Sequence, residues 1–105
     1  MKQIVILLLC CFCVSASFSQ NSNSLVIDDK GNEKLLGTIN QQHLSSNTFK
    51  DWFNPNYDSY IINNQIVELI KKEVKDYDIK ALLGTWCGDS KREIPRFLKI
   101  LDAVD

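Results

Sequence analysis

Residues 85–91 read Thr-Trp-Cys-Gly-Asp-Ser-Lys, and they separate two apolar patterns of different period. The short apolar stretch 79–83 comes before them and predicts a buried strand. Apolar residues then recur at helical spacing over 94–101, which predicts a helix. Cys87 therefore falls at a strand-to-helix junction. Backbone N–H groups and the positive end of the helix dipole favour a thiolate at such a position.

The segment 81–101, about a fifth of the chain, resembles the thioredoxin family, whose active site reads Trp-Cys-Gly-Pro-Cys at the same kind of junction. Residues 86–90 read Trp-Cys-Gly-Asp-Ser, so Asp89 replaces the proline and Ser90 replaces the second cysteine. The similarity continues along the predicted helix. Pro95, eight residues after Cys87, matches the proline that kinks the active-site helix of the family.

Glu93, six residues after Cys87, matches the glutamate of the extracytoplasmic, cytochrome-maturation type of thioredoxin. The resemblance implies that Cys87 is the nucleophile, that Glu93 relays a proton near it, and that Trp86, Gly88 and Asp89 contact substrate. An acidic residue in the first turns of a helix also complements the helix dipole, which gives Glu93 a purely structural alternative.

Ser90 limits the chemistry that the resemblance implies. Its hydroxyl could donate a hydrogen bond to the Cys87 thiolate, but it cannot attack a mixed disulfide. The second thiol would come from a glutathione-like compound, a partner protein or a cysteine beyond residue 105. Asp89 disfavours the thiolate whereas Lys91 and Arg92 favour it, so the sequence leaves the direction of the thiol pKa shift open.

The first residues predict a signal peptide at 1–19. Lys2 precedes an apolar run over 4–14 and the small residues at 15–17, with cleavage after Ser17 or Ser19. This predicts an exported protein, periplasmic or extracellular in a bacterium, that is soluble after cleavage. Membrane anchoring through a lipid-modified cysteine is the less favoured alternative. The residues before Cys10, Cys11 and Cys13 match poorly the small residue expected there.

Loss of the signal would leave Cys87 as the single cysteine, because the other three lie within residues 10–13. An unpaired cysteine in an exported protein indicates a reactive thiol or an intermolecular bridge. The net charge would move from −1 to −2 with the loss of Lys2, which implies no nucleic-acid or acidic-lipid partner. His43 has no companion at metal-ligand spacing and is interpreted as a surface or capping residue. We therefore assign no metal and no cofactor.

An N-terminal extension over 20–60 precedes the family-like part. Apolar residues at 25–27 and 35–36 flank the turn-forming sequence 28–32, which predicts a β-hairpin. An aromatic-rich segment follows over 44–60, with a turn predicted at its Asn54-Pro55-Asn56 sequence. Its aromatic side chains could cover the edge of the following domain or form a substrate lid near Cys87.

The remaining residues, 61–105, predict a helix, a strand and a second helix. Asn63 or Asn64 can cap the first helix, which is expected to run to about Tyr77. Helical spacing predicts an apolar face formed by Ile66, Ile70, Val74 and Tyr77. It also predicts an exposed ion pair between Glu68 and Lys72.

The predicted fold class is α/β, a thioredoxin-like three-layer sandwich of which only the N-terminal part is present. A complete domain of this kind needs about 100 residues, whereas about 18 follow Cys87. The later strands, the last helix and the family's cis-proline loop are missing, so the C-terminal half of the domain is expected from a longer protein or from another chain.

Two functions remain open from the sequence. The first is an exported thioredoxin-like protein in which Cys87 alone exchanges disulfides with partner proteins that carry thiols or disulfides. The second is a redox-inactive binding or structural module that kept the fold and lost the second cysteine.

Overall fold

The computed structural model describes residues 23–105, and the predicted signal peptide lies outside the described residues. The described part is mixed α/β, with one two-stranded antiparallel sheet followed by helices. In chain order the elements are β1 Asn23–Ile27, β2 Glu33–Gly37, α1 Gln41–Leu44, a 3-10 turn Asn47–Phe49, α2 Lys50–Ser59, α3 Asn64–Val74 and α4 Gly88–Val104. Between residues 23 and 105, no helix combines the length and the apolar character needed to cross a membrane.

The predicted β-hairpin is confirmed. Leu25 of β1 pairs with Leu35 of β2 in an antiparallel register. The Asp28 carboxylate closes the turn by accepting the backbone N–H groups of Lys30 and Asn32, both at 2.9 Å. Gly31 has a φ of +82°, a conformation that side chains with a Cβ rarely adopt, which explains the glycine at this position.

The turn predicted at 54–56 is wrong, because α2 continues through it with Pro55 inside the helix. Proline lacks an N–H and crowds the preceding turn, so it normally ends a helix. Two interactions hold α2 together here. The side-chain amide of Asn56 donates to the Trp52 carbonyl at 2.7 Å, and the aromatic face of the helix packs against α4.

The aromatic residues form the centre of the core. Phe49 and Phe53 are buried, and the Phe53 ring stacks on Tyr57 with 5.7 Å between centroids. The Tyr57 hydroxyl donates to Asp102 of α4 at 2.5 Å, which raises the pKa of Tyr57. The aromatic side chains of this segment therefore pack against α4, which agrees with the account in which they cover the following part of the chain.

α4 also closes the carboxyl end of α2. The Lys99 ammonium donates to the backbone carbonyls of Asp58, at 3.1 Å, and Tyr60, at 2.8 Å. Carbonyls at a helix C-terminus lack partners within the helix, and a lysine there satisfies them and complements the dipole. The aromatic segment and the helix after Cys87 therefore form one packed unit.

The helix predicted after residue 62 is confirmed, with Asn63 as its cap. The Asn63 side chain accepts the N–H groups of Gln65 and Ile66. The helix ends at Val74 rather than Tyr77, and its buried residue is Val67, whereas Ile66 is exposed. Ile70 and Val74 of the predicted face are half-buried, whereas Val67 is buried in place of Ile66 and Tyr77 is exposed. The ion pair forms between Glu68 and Lys71, at 3.3 Å, rather than between Glu68 and Lys72.

The strand predicted over 79–83 does not form. Residues 77–84 have no regular secondary structure, and within the described residues no strand pairs with them. An apolar stretch becomes a strand only when a neighbouring strand satisfies its backbone groups. The side chain of Leu82 is fully exposed in consequence.

Candidate active site

Cys87 is the N-cap residue of α4, so the helix start of the predicted strand-to-helix junction is confirmed although its strand is not. Its backbone is extended, with φ −90° and ψ 125°, and its carbonyl accepts the N–H of Lys91 at 2.9 Å. The thiol is free and partly exposed. Cys87 therefore faces solvent beside the unpaired N–H groups of the first helical turn.

The surroundings of Cys87 lower the pKa of its thiol. The largest cause is the backbone N–H of Ser90, followed by the Ser90 hydroxyl and the backbone N–H of Asp89. Burial and the Asp89 carboxylate oppose the shift. The sulfur forms no capping hydrogen bond, so these donors act chiefly by stabilising the charge of a thiolate. The structure thus gives a lowered thiol pKa for Cys87, a direction that the sequence left open.

Ser90 is held in place by the loop before the cysteine. Its hydroxyl oxygen accepts the backbone N–H of Gly84 at 3.1 Å. A serine hydroxyl has one proton and two acceptor lone pairs, so this bond leaves the proton free. Ser90 can therefore bind Gly84 and donate to the Cys87 thiolate at the same time.

Trp86 lies on the surface next to Cys87, with 55% of its area exposed. Its ring packs on Gly84, where an added Cβ would lie 3.1 Å from the ring. The Lys34 ammonium, from the hairpin, lies 5.4 Å from the centre of the ring. Contacts with the loop and with β2 therefore fix the orientation of Trp86 and leave part of its ring open to a bound molecule.

Asp89 and Glu93 both interact with Arg92 on the surface. Arg92 binds the Asp89 carboxylate at 3.0 Å and the Glu93 carboxylate at 2.6 Å, and Arg96 lies 3.8 Å from Glu93. The interactions that the structure gives Glu93 are thus with arginines of its own helix. Both accounts of Glu93, the proton relay and the helix-dipole role, stay predictions.

The other two predicted site residues shape the helix. Gly88 is the first residue of α4, and a Cβ there would meet no atom within 4 Å. Pro95 lies inside α4 and is buried. Cys87, Trp86, Gly88, Asp89 and Ser90 therefore come together around the first turn, with Glu93 and Pro95 farther along the helix.

Thr85 was not predicted as a site residue, although it connects the hairpin to the active-site loop. It is 3% exposed, and its Oγ1 accepts the backbone N–H of Leu35 at 3.2 Å. This bond provides an acceptor for a backbone N–H of β2 that points away from β1. The signal in the sequence was a threonine directly before the Trp-Cys pair, but nothing local identifies its partner 50 residues away.

Replacing Thr85 with valine is expected to lower the free energy of unfolding by about 1–3 kcal/mol, because the Leu35 N–H loses its acceptor while remaining partly buried. Thr85→Ser keeps the hydroxyl and serves as the matched control, with a smaller loss. Urea unfolding followed by circular dichroism measures both. Equal stability of the two variants would show that this hydrogen bond does not hold the hairpin in place.

His43 is confirmed as a capping residue. Its backbone N–H donates to the Asn40 side chain at 3.2 Å, and its Nδ1 accepts the Asn40 backbone N–H at 3.0 Å. Within residues 23–105, no three His, Cys, Asp or Glu side chains come close enough together to hold a metal ion.

Comparison of the chain with protein-family models, with curated proteins and with solved structures gives no match.

Proposed function

We propose that this chain is an exported thioredoxin-like protein in which Cys87 alone carries out thiol-disulfide exchange with partner proteins. The observation that carries the proposal is the position of Cys87, a partly exposed thiol at the N-cap of α4 with a lowered pKa. The thiolate is the nucleophile in this chemistry, and exposure lets a disulfide approach it.

The first step joins the Cys87 sulfur to one sulfur of a partner disulfide. The partner's S–S bond breaks, and its second sulfur leaves as a thiolate that takes up a proton from water. The product is a mixed disulfide with no net change in oxidation state. Ser90 stabilises the attacking thiolate but cannot resolve this mixed disulfide, because an alcohol does not exchange with sulfur.

Release then needs a second thiol from outside. A small thiol or a partner cysteine attacks the mixed disulfide, the bond to Cys87 breaks, and Cys87 leaves as a thiolate. A lowered thiol pKa helps this step, because a less basic thiolate is a better leaving group. The arrangement around Cys87 therefore favours both formation and resolution of the mixed disulfide.

Two broader parts of the proposal depend on the sequence. The run Trp86 to Ser90 followed by Pro95 supports a resemblance of residues 61–105 to the N-terminal part of a thioredoxin-like domain. The signal-like pattern at 1–19 supports export to the periplasm or the extracellular space, where protein disulfides persist. Partner proteins with disulfides would be available there.

The pH dependence of Cys87 alkylation tests the proposal. The rate is expected to rise with pH through a midpoint below the ordinary cysteine value of about 8.5, because only the thiolate reacts. The protein is used after removal of the signal, and Cys87→Ser provides the blank.

Ser90→Ala is the matched variant. It removes a donor that lowers the thiol pKa, so its midpoint is expected to lie above that of the original protein and its rate at neutral pH to fall. A midpoint at or above 8.5 in the original protein, or no reaction with a model disulfide, would instead support a redox-inactive binding module.

A further inference from the structure

A cavity of about 590 Å³ begins at the residue directly before Cys87. The turn of the hairpin, the 3-10 turn Asn47–Phe49 and the start of α4 surround it. Trp52 and Trp86, the two tryptophans of the chain, both line it. Its volume falls in the range of roughly 300–1,000 Å³ that is usual for binding pockets.

The two carboxylates in the wall of this cavity are already occupied. Asp28 accepts backbone N–H groups of the hairpin turn and pairs with Lys34 at 3.2 Å, and its pKa is lowered to about 2. Glu33 accepts the hydroxyl of Thr48 at 2.6 Å and its backbone N–H at 3.3 Å. Glu33 keeps its charge because both of its donors are uncharged, so the wall carries three lysines, Lys30, Lys34 and Lys91, against two carboxylates.

Lys30 and Lys91 also line the cavity, and within residues 23–105 neither forms a salt bridge. Lys91 lies one helical turn after Cys87 and on the same side of α4, as its backbone bond to the Cys87 carbonyl shows. The cavity thus combines two tryptophan rings with two lysines that form no salt bridge within residues 23–105, and Lys91 lies one helical turn after Cys87.

We propose that this cavity binds an acidic side chain of the partner protein next to the cysteine that Cys87 attacks. The proposal rests on the proposed function and names the class of its substrate, an acidic segment flanking a disulfide. Lys91 and Lys30 would bind the carboxylate, and the exposed face of Trp86 would pack on the neighbouring peptide. A basic segment would meet unpaired lysines and be repelled.

Two peptides that differ by one residue test this. Each carries one cysteine as a mixed disulfide with 2-thiopyridine, and the neighbouring residue is glutamate in one and glutamine in the other. The Cys87 thiolate attacks the peptide sulfur and the bond to the pyridyl sulfur breaks. The pyridinethiolate that leaves takes up at its ring nitrogen the proton that the Cys87 thiol lost, which gives 2-thiopyridone. Its absorbance gives the rate.

The glutamate peptide is expected to react about three to five times faster at low ionic strength, and the preference should shrink as salt is added. In Lys91→Gln with Lys30→Gln the ratio of the two rates is expected to fall to about one. The ratio is the readout because a change in the thiol pKa alters both rates alike. Lys72→Gln with Lys75→Gln, two exposed residues at the end of α3, removes the same two charges elsewhere and should keep the ratio.

A second measurement does not depend on exchange. Peptides with serine in place of the cysteine are titrated while tryptophan fluorescence is followed, and both reporting tryptophans line the cavity. The fluorescence change is expected to saturate with the glutamate peptide but not with the glutamine peptide, and to be lost in the double lysine variant. This result would support the acidic-peptide site even if Cys87 exchanges with no disulfide. Equal exchange rates for both peptides, with equal fluorescence responses, would overturn the acidic site and leave the exchange function standing.

Discussion

Replacing Phe53 with alanine is expected to lower the free energy of unfolding by about 3–5 kcal/mol, which is the usual cost of removing a buried phenylalanine. Phe53 is 2% exposed and lies between the rings of Trp52, at 6.2 Å, and Tyr57, at 5.7 Å. Its loss would leave a cavity on the face of α2 that packs on α4. Small domains are stable by about 5–15 kcal/mol in all, so most of the margin would be lost.

Urea unfolding followed by circular dichroism measures this effect, with Ile61→Ala as the control. Ile61 is also apolar and close in sequence, but it is 88% exposed, so its variant should differ from the original by no more than about 0.5 kcal/mol. If the two variants lost the same stability, the contact between α2 and α4 would not be the centre of the fold.

Phe53 also affects the candidate active site, because α2 packs on α4 and α4 begins directly after Cys87. Tyr57 and Lys99 join the two helices by hydrogen bonds at their distal ends. Loosening of this contact would free α4 to move. A lower alkylation rate in Phe53→Ala, under conditions where the variant is still folded, would indicate that the aromatic segment stabilises the active site.

Local patterns predicted the parts of the fold that local interactions determine. The hairpin depends on Asp28 and Gly31 within its own turn, and α3 begins at an asparagine whose side chain caps it. The N-cap position of Cys87 likewise followed from a change of apolar period at one point of the chain. In each case the deciding contacts lie within a few residues of one another.

Predictions from local sequence patterns were wrong where contacts with distant residues determine the structure. Pro55 is compatible with a turn or with a helix, and packing on α4 selects the helix. The stretch 79–83 has the composition of a strand, but within the described residues nothing pairs with it. The burial of Val67 rather than Ile66 on α3 also depends on packing against α4, which the sequence of α3 alone does not specify.

The same division holds for the candidate site. Cys87 and Ser90 were predicted from neighbouring residues, and the structure places them on the same helical turn. Thr85 and Lys34 were missed because their partners, Leu35 and Trp86, are about 50 residues away in the sequence. The hairpin thus contributes to the surroundings of Cys87, and no sequence motif predicts this contribution.

Replacing Ser90 with cysteine is expected to make release of a bound partner at least about a hundred times faster at millimolar external thiol. The introduced thiolate would attack the Cys87 sulfur, break its bond to the partner and form an intramolecular disulfide, while the partner leaves as a thiolate. Groups held in reacting position reach effective concentrations far above molar. Residue 90 is suitably placed, because it lies in the first turn of the helix that Cys87 caps and its N–H and hydroxyl lower the pKa of the Cys87 thiol.

The measurement starts from the mixed disulfide that Cys87 forms with a thiopyridyl-activated peptide. It follows release of the peptide, either as a free thiol or as its disulfide with the added thiol, at several concentrations of added thiol. Release from the original protein and from Ser90→Ala should increase in proportion to the added thiol, because neither has an internal thiol to replace it. Release from Ser90→Cys should be independent of added thiol. Fast release from the original protein without added thiol would contradict the role of Cys87 as the sole exchanging group. In that case residue 90 would not determine whether the protein needs an external thiol to complete its reaction.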